Sequence, residues 1–357
     1  MDGAVGGTTE TRAGAPDAVS PVREWGWVLR VLTLVAVFAV VAIARSRQVD
    51  VPFRDPHGKL FTNKLLSTAQ TLLVAVAIDI VVRWLRGRRQ GRSLWQTARS
   101  RWTPYRIAMI AGALVAYQVV YLCYRNLKSW DIFRAPQDEM LLRWDRWLFF
   151  GHSPAVLLHD LLGEDLAARL LTDLYESFST LVTIALVAAL AFTPTVRSAY
   201  VFVVSAMWAW ILGVGSYYLI PSLGPFHAAP AEFSGLTRTS IQRTQEAYVV
   251  QRDHLLANPH AHDAFAQISA FASLHCALTF LVFLMARYYG LRWLSWLVGL
   301  FLVGTLLATV YLGWHFVVDD IAGLALAWVS VQLGKWTVLG SWSSQRERRE
   351  PLESGHV

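Results

Sequence analysis

Two histidines and one aspartate are the residues of this sequence whose types and placement suit covalent chemistry. His275 stands in ISAFASLHCALTF (268–280), where polar loop gives way to an apolar run, and His315 and Asp319 stand in YLGWHFVVDDIAG (311–323), where another such run begins. A spacing of four places Asp319 on the same helical face as His315, about one turn away. A carboxylate holding one ring nitrogen leaves the other unprotonated and aimed outward, which suits a nucleophile. A second histidine across a pocket can then protonate a departing oxygen. The set fits attack of His315 on phosphorus to give a phosphohistidine, with His275 as acid and later base. Asp320 is the weaker orienter, because its spacing turns it away from His315. A lone histidine in an apolar helix is more often a hydrogen-bonded packing residue, and an isolated H-x3-D pair arises often by chance. Two such sites on one predicted membrane face favour function, because ionisable groups there are costly.

The apolar runs must position these residues. Of 357 residues, 55% are hydrophobic and only 16% charged, against about 25% charged in soluble domains. Sixteen tryptophans and a mean hydropathy of +0.38 fit apolar spans that end in aromatic residues at lipid headgroups. Runs of about 20 apolar residues cross ~30 Å of hydrocarbon. They fall at roughly 25–44, 66–86, 105–124, 170–192, 197–220, 269–289, 292–312 and 315–336. Backbone groups in lipid must pair within their own segment, so the expected fold is all-α, a polytopic membrane protein of about eight transmembrane helices. Ala42-Ile43-Ala44 resembles a signal cleavage site, but the long run and the long, partly acidic tail before it favour an uncleaved helix.

Between the runs, residues 1–24, rich in Gly, Ala and Thr, are expected as a disordered tail. Residues 25–104 hold two additional helices and a basic loop, 105–336 a six-helix core, and 337–357 a charged tail. Residues 141–150 (LLRWDRWLFF) have the pattern of a helix lying in the interface. Residues 221–268 form a polar loop too long for a connector. The Arg-rich loop GRRQGRSLWQTARSR (87–101) and RERR near the C-terminus prefer the cytoplasm. That puts the long loops and His275, His315 and Asp319 on the extracytoplasmic face of the cell membrane, although Arg45, Arg47, Arg54, Lys59 and Lys64 on that side oppose the assignment. The net charge of +7 lies mostly between spans, where it faces anionic headgroups rather than nucleic acid. Cys123 and Cys276 fall in apolar stretches as small core residues. His254, His260 and His262 lack closed zinc spacing, so a solvated loop is expected and no metal. Asp79 is expected to pair with Arg83 one turn on, and Glu176 to line the pocket or pair with a cation. Walker-type loops, G-x-S-x-G and H-E-x-x-H are absent from the sequence.

The segment A-S-L-H (272–275), followed 40 residues later by Y-L-G-W-H-F-V-V-D (311–319), resembles the P-S-x-H and x-H-x3-D motifs of the type-2 phosphatidic acid phosphatase superfamily. The Leu of S-L-H and the aromatic after His315 resemble its inositolphosphorylceramide synthase branch, which are inositolphosphotransferases. The resemblance covers roughly 105–336 and implies a six-helix core with a metal-free, cofactor-free site. Carried over, His315 resembles the nucleophile, Asp319 its orienting partner, His275 the general acid and Ser273 the hydroxyl residue that helps hold phosphate. YYLIPSLGPF (217–226) resembles the branch's proline-rich stretch, though Pro221 and Pro225 more simply end a helix. The sequence departs from the pattern at Ala272, which replaces the motif proline, and at Thr309, which replaces the Arg six residues before the second His. The first motif survives only as Lys128 to Arg134 with Ala135 before Pro136. Arg125 and Lys128 are therefore the candidates for screening a phosphate, with snorkelling at a helix end as the alternative. The resemblance implies a lipid phosphatase or phosphotransferase acting on a lipid-linked phosphate, with water or a polyol such as inositol as acceptor. A transporter or channel is the rival class, and it expects polar residues through the mid-depth of several helices.

Overall fold

Each of the eight apolar runs folds as a helix in the computed structural model, which describes residues 21–340. The helices are α1 (Pro21–Val49), α2 (Thr62–Gly87), α3 (Leu94–Arg101), α4 (Pro104–Ser129), α5 (Asp138–Leu148), α6 (Pro154–Leu162), α7 (Leu166–Phe192), α8 (Val196–Leu219), α9 (Pro225–Ala228), α10 (Ser240–Ala257), α11 (Leu274–Tyr288), α12 (Arg292–Tyr311) and α13 (Val317–Leu339). Among the described residues there is no strand. The expected tail through residue 20 and the charged segment from 341 onward lie outside the described residues. Helix α1 starts at Pro21, inside the segment expected to be tail, and α13 runs three residues past 336.

Among the described residues seven helices, α1, α2, α4, α7, α8, α12 and α13, are long and apolar enough to cross a membrane. The run expected at 269–289 is the exception. Its helix α11 has 15 residues, or about 22 Å of rise, because residues 269–273 extend the polar loop inward instead of starting the helix. Backbone without helical bonds is tolerated at such depth only when protein surrounds it, and here Ala270 donates to the Ser222 carbonyl (2.9 Å) while the Phe271 N–H reaches Ser222 Oγ (3.0 Å). The polar stretch 221–268 is also more ordered than expected. It contains α9, a 3-10 turn at Pro230–Phe233 and the 18-residue α10. Thr239 and Gln242 close a capping box at the start of α10, a local signal present in the sequence.

Helix α8 is the central post. Its Val, Ala and aromatic side chains are buried nearly all round, as expected of a helix without a polar stripe. Leu29, Val40, Leu73, Trp293, Trp296 and Leu300 on the outer helices are exposed, the side that lipid would solvate. At the end of the bundle opposite the histidines, arginines satisfy the last carbonyls of two helices. Arg101 and Arg106 donate to Thr193 (2.7 and 2.9 Å) after α7, and Arg30 and Arg197 to Thr337 (2.7 Å) and Val338 (3.0 Å) of α13. Asp79 pairs with Arg83 (2.7 Å) as expected, and also with Arg101 (3.2 Å).

Candidate active site

The start of α11, the turn between α12 and α13 and the first residues of α13 meet at one end of the bundle. Their backbones are joined directly: Ser273 donates to the Asp319 carbonyl (3.0 Å), and Phe226 to that of Gly313 (2.9 Å). His275 and His315 face each other there, with ring centroids 5.8 Å apart. Nδ1 of His315 lies 3.5 Å from Oδ2 of Asp319. The contact is at ion-pair range, not a formed hydrogen bond, since neither His315 Nδ1 nor Asp319 Oδ1 has a bonding partner. The three residues to which sequence reasoning assigned catalysis are thus brought together.

The geometry that joins them differs from the one expected. His315 precedes α13, and Phe316 is the N-cap residue, so no helical turn sets the spacing. Instead Asp319, the third residue of α13, accepts the Phe316 N–H through Oδ2 (3.0 Å), the same oxygen that faces His315 Nδ1. The turn itself hangs from Thr309, whose carbonyl accepts from the N–H groups of Trp314 (3.0 Å) and His315 (3.1 Å). Burial, with only 4% of His315 exposed, lowers its imidazole to about 4, despite the opposing pull of Asp320. The ring is therefore neutral at pH 7.

Asp320, expected as the weaker orienter, acts on His315 through its charge and has two bonding partners of its own. It accepts from Thr309 Oγ1 (2.8 Å) and from Cys276 Sγ (2.9 Å), tying α11, α12 and α13 together beneath the histidines. Thr309 stands where the superfamily motif has an arginine, and its hydroxyl makes a neutral bond to this carboxylate. Cys276 is a buried free thiol, as expected. Ser273 is fully buried, and its hydroxyl accepts from the Cys276 N–H (3.4 Å) as the cap of α11.

His275 lies between aromatic rings, which the motifs gave no means of finding. Tyr175 stacks on it (4.3 Å between centroids), Phe178 covers it at 4.4 Å, and Tyr175 OH lies 3.5 Å from Nδ1. Tyr175 is the residue before Glu176, whose own carboxylate accepts from Ser240 Oγ rather than entering the site. Trp314 packs against Tyr175, Phe226 and Tyr248.

Both candidate cations reach this end. Arg125 Nη1 donates to Tyr121 OH (3.1 Å), Nη2 bonds Gln267 Oε1, and Nε has no partner. Lys128 Nζ sits 5.2 Å above the Tyr217 ring, and its charge acts on both histidines. Among the described residues neither has a carboxylate within ion-pair distance. The histidines of the polar stretch form no metal-ligand group among the described residues. His254 bonds Asp263 instead (3.0 Å).

The spacing of the two histidines depends on one glycine. A Cβ on Gly323 would stand 2.4 Å from the Ser273 carbonyl oxygen, so α13 can approach the start of α11 only with glycine there. Gly323→Ala is expected to cost about 1–3 kcal/mol and, by moving His315 relative to His275, to lower turnover about 10²-fold. Thermal unfolding and rate measurement in detergent check both; wild-type values would show that the helices tolerate wider separation.

The family model described as the PAP2 superfamily matches residues 139–333, more than half of the chain. The match takes in His275, His315 and Asp319 and leaves Arg125 and Lys128 upstream of it. No curated protein matches the chain, and no solved structure does.

Proposed function

The chain belongs to the PAP2 superfamily, and on that premise we propose that it is an integral membrane enzyme that cleaves or transfers the phosphate ester of a lipid through a phosphohistidine. Membership supports phosphatase or phosphotransferase chemistry, and the lipid and the acceptor are our reading. The observation that carries the mechanism is the facing pair of imidazoles 5.8 Å apart with Asp319 at 3.5 Å from His315.

In this reading neutral His315 attacks phosphorus through the nitrogen remote from Asp319. The bond to the ester oxygen breaks, and His275, protonated in the complex with the phosphate substrate, gives its proton to the departing alkoxide. Arg125 and Lys128 screen the charge on the transferred group, and Asp319 accepts a hydrogen bond from the Nδ1–H, its negative charge stabilising the ring as it becomes cationic. Shortening the 3.5 Å contact into a hydrogen bond fits the tightening that catalytic contacts undergo when substrate binds. Water, or an alcohol, then attacks phosphorus and gives its proton to His275, while the P–N bond breaks and returns neutral His315. Ser273 helps hold phosphate only if its capping hydroxyl is released, so Arg125 and Lys128 carry more of that role.

The site lies where helix ends meet interfacial segments, so a headgroup can enter while its tails stay in the bilayer. The Leu after Ser273 and Phe316 after His315 support the inositolphosphotransferase-like branch, with inositol as one acceptor to try. The arginines gathered around α3, at the opposite end, support an extracytoplasmic site in the cell membrane. Helices α4, α7, α8 and α11 to α13 form the six-helix core in this reading, with α1 and α2 as an addition.

The test is release of inorganic phosphate from a panel of lipid phosphates by the purified protein, with and without inositol. Release would establish the phosphatase, and an inositol-containing product the transferase. Silence across the panel would count against both and make a transport assay the next step. The chemistry uses side chains of this protein alone, so EDTA is expected to leave the rate unchanged. Loss of activity restored by a divalent cation would overturn the metal-independent mechanism.

A further inference from the structure

Helix α5 is amphipathic in an unusual sense, because its acids face the protein. Trp147 is 79% exposed and Phe150, just past the helix, 94% exposed. Asp138 and Asp145, seven residues apart on one face, are buried. Each carboxylate holds a backbone segment of the site. Asp145 Oδ2 accepts from the Val317 N–H (2.8 Å) and Oδ1 from that of Val318 (3.0 Å). Asp138 accepts from the N–H groups of Leu223 (2.9 Å) and Gly224 (3.0 Å).

These two segments meet at the nucleophile. Gly224, at φ 106°, lies against the Trp314 carbonyl so closely that a Cβ would stand 2.6 Å from it, and Phe226 bonds the Gly313 carbonyl. Val317 is two residues past His315, and its N–H is one of the donors that the start of α13 cannot pair within the helix. With Phe316 N–H on Asp319 and the next two on Asp145, the first turn of α13 is closed by two carboxylates, one from its own chain segment and one from α5. The charges of Asp138 and Asp145 are also felt at Asp319. A second bond set fixes α5 itself: Glu232 accepts from Arg146 (2.9 Å) and from Ser153 Oγ (2.6 Å).

We infer that Asp145 is a positioning residue for the histidine nucleophile: by bonding Val317 and Val318 it holds the turn that carries His315, with Asp138 fixing the opposite wall through Leu223 and Gly224. The inference rests on the reading of His315 as nucleophile. Burial raises the Asp145 carboxyl to about 6 while its two backbone bonds oppose the rise, so the group is held there against its own desolvation.

The test compares Asp145→Ala, Asp145→Asn and His315→Ala with the wild type by phosphate release from a lipid phosphate. In parallel, diethylpyrocarbonate modification of His315 is followed by mass spectrometry, with exposed His262 as reference. Asp145→Ala is expected to lower kcat about 10²-fold at unchanged KM, and to speed modification of His315 several-fold without changing that of His262. Asp145→Asn, which keeps one acceptor oxygen, is expected to recover part of both. Wild-type kcat and an unchanged His315 modification rate in Asp145→Ala would overturn the inference, as would an Asn variant no better than Ala. If Asp145→Ala does not fold, Asp145→Asn decides by the same two readouts. If His315→Ala is as active as wild type, the reading of the nucleophile fails, while the modification rates still report whether Asp145 holds the turn.

Discussion

Replacing His315 by alanine is expected to abolish phosphate release, lowering kcat by about 10⁴-fold or more, while the protein stays folded and membrane-inserted. The large effect follows from the role: without the imidazole there is no nucleophile to form the covalent intermediate, and the residual rate comes only from screening by Arg125 and Lys128 and from binding. The fold should survive because the backbone of the turn does not depend on the buried ring. Its Nδ1 has no hydrogen-bond partner, and the turn is held by backbone bonds to Thr309 that alanine keeps. Rapid-quench trapping of a phosphorylated protein would add a direct readout, acid-labile and base-stable in the wild type and absent in the variant. Undiminished release by His315→Ala would sink the nucleophile assignment outright.

Asp319→Asn is the second large effect expected, a fall of orders of magnitude approaching the ~10⁴ seen when a histidine loses its orienting carboxylate. Asparagine is nearly isosteric and can still accept the Phe316 N–H, so the start of α13 should persist. What it lacks is the negative charge that stabilises His315 as it becomes cationic. Its amide can also donate toward Nδ1 and so stabilise the wrong tautomer. The loss should therefore fall on kcat with little change in unfolding temperature. A rate equal to wild type would reject the orienting role and turn attention to Asp320, whose charge also acts on His315.

Much of the fold was legible in the sequence because membrane insertion is read from a local quantity. A run of about 20 apolar residues must bury its own backbone bonds in lipid, and the answer is a helix whatever its neighbours are. All eight runs are helices for that reason, and the boundaries fail where the reason fails. At 269–273 the chain is apolar enough to continue a span, yet Ser222 supplies partners for its backbone and it stays outside the helix. Helix α10 was written in its own caps, Thr239 and Gln242, but hidden within a stretch read as loop because its composition is polar.

The site divides along the same line. The types and spacing of His275, His315 and Asp319, with the motifs around them, were enough to name the candidate chemistry. Only the tertiary structure placed Tyr175 on His275, made Thr309 and Asp320 the knot beneath both rings, and brought Asp145 to the start of α13, 172 residues away in the chain. Hydropathy and motif spacing add up along the chain, whereas a hydrogen bond between distant segments exists only once helices have packed and excluded the water that would otherwise take its place.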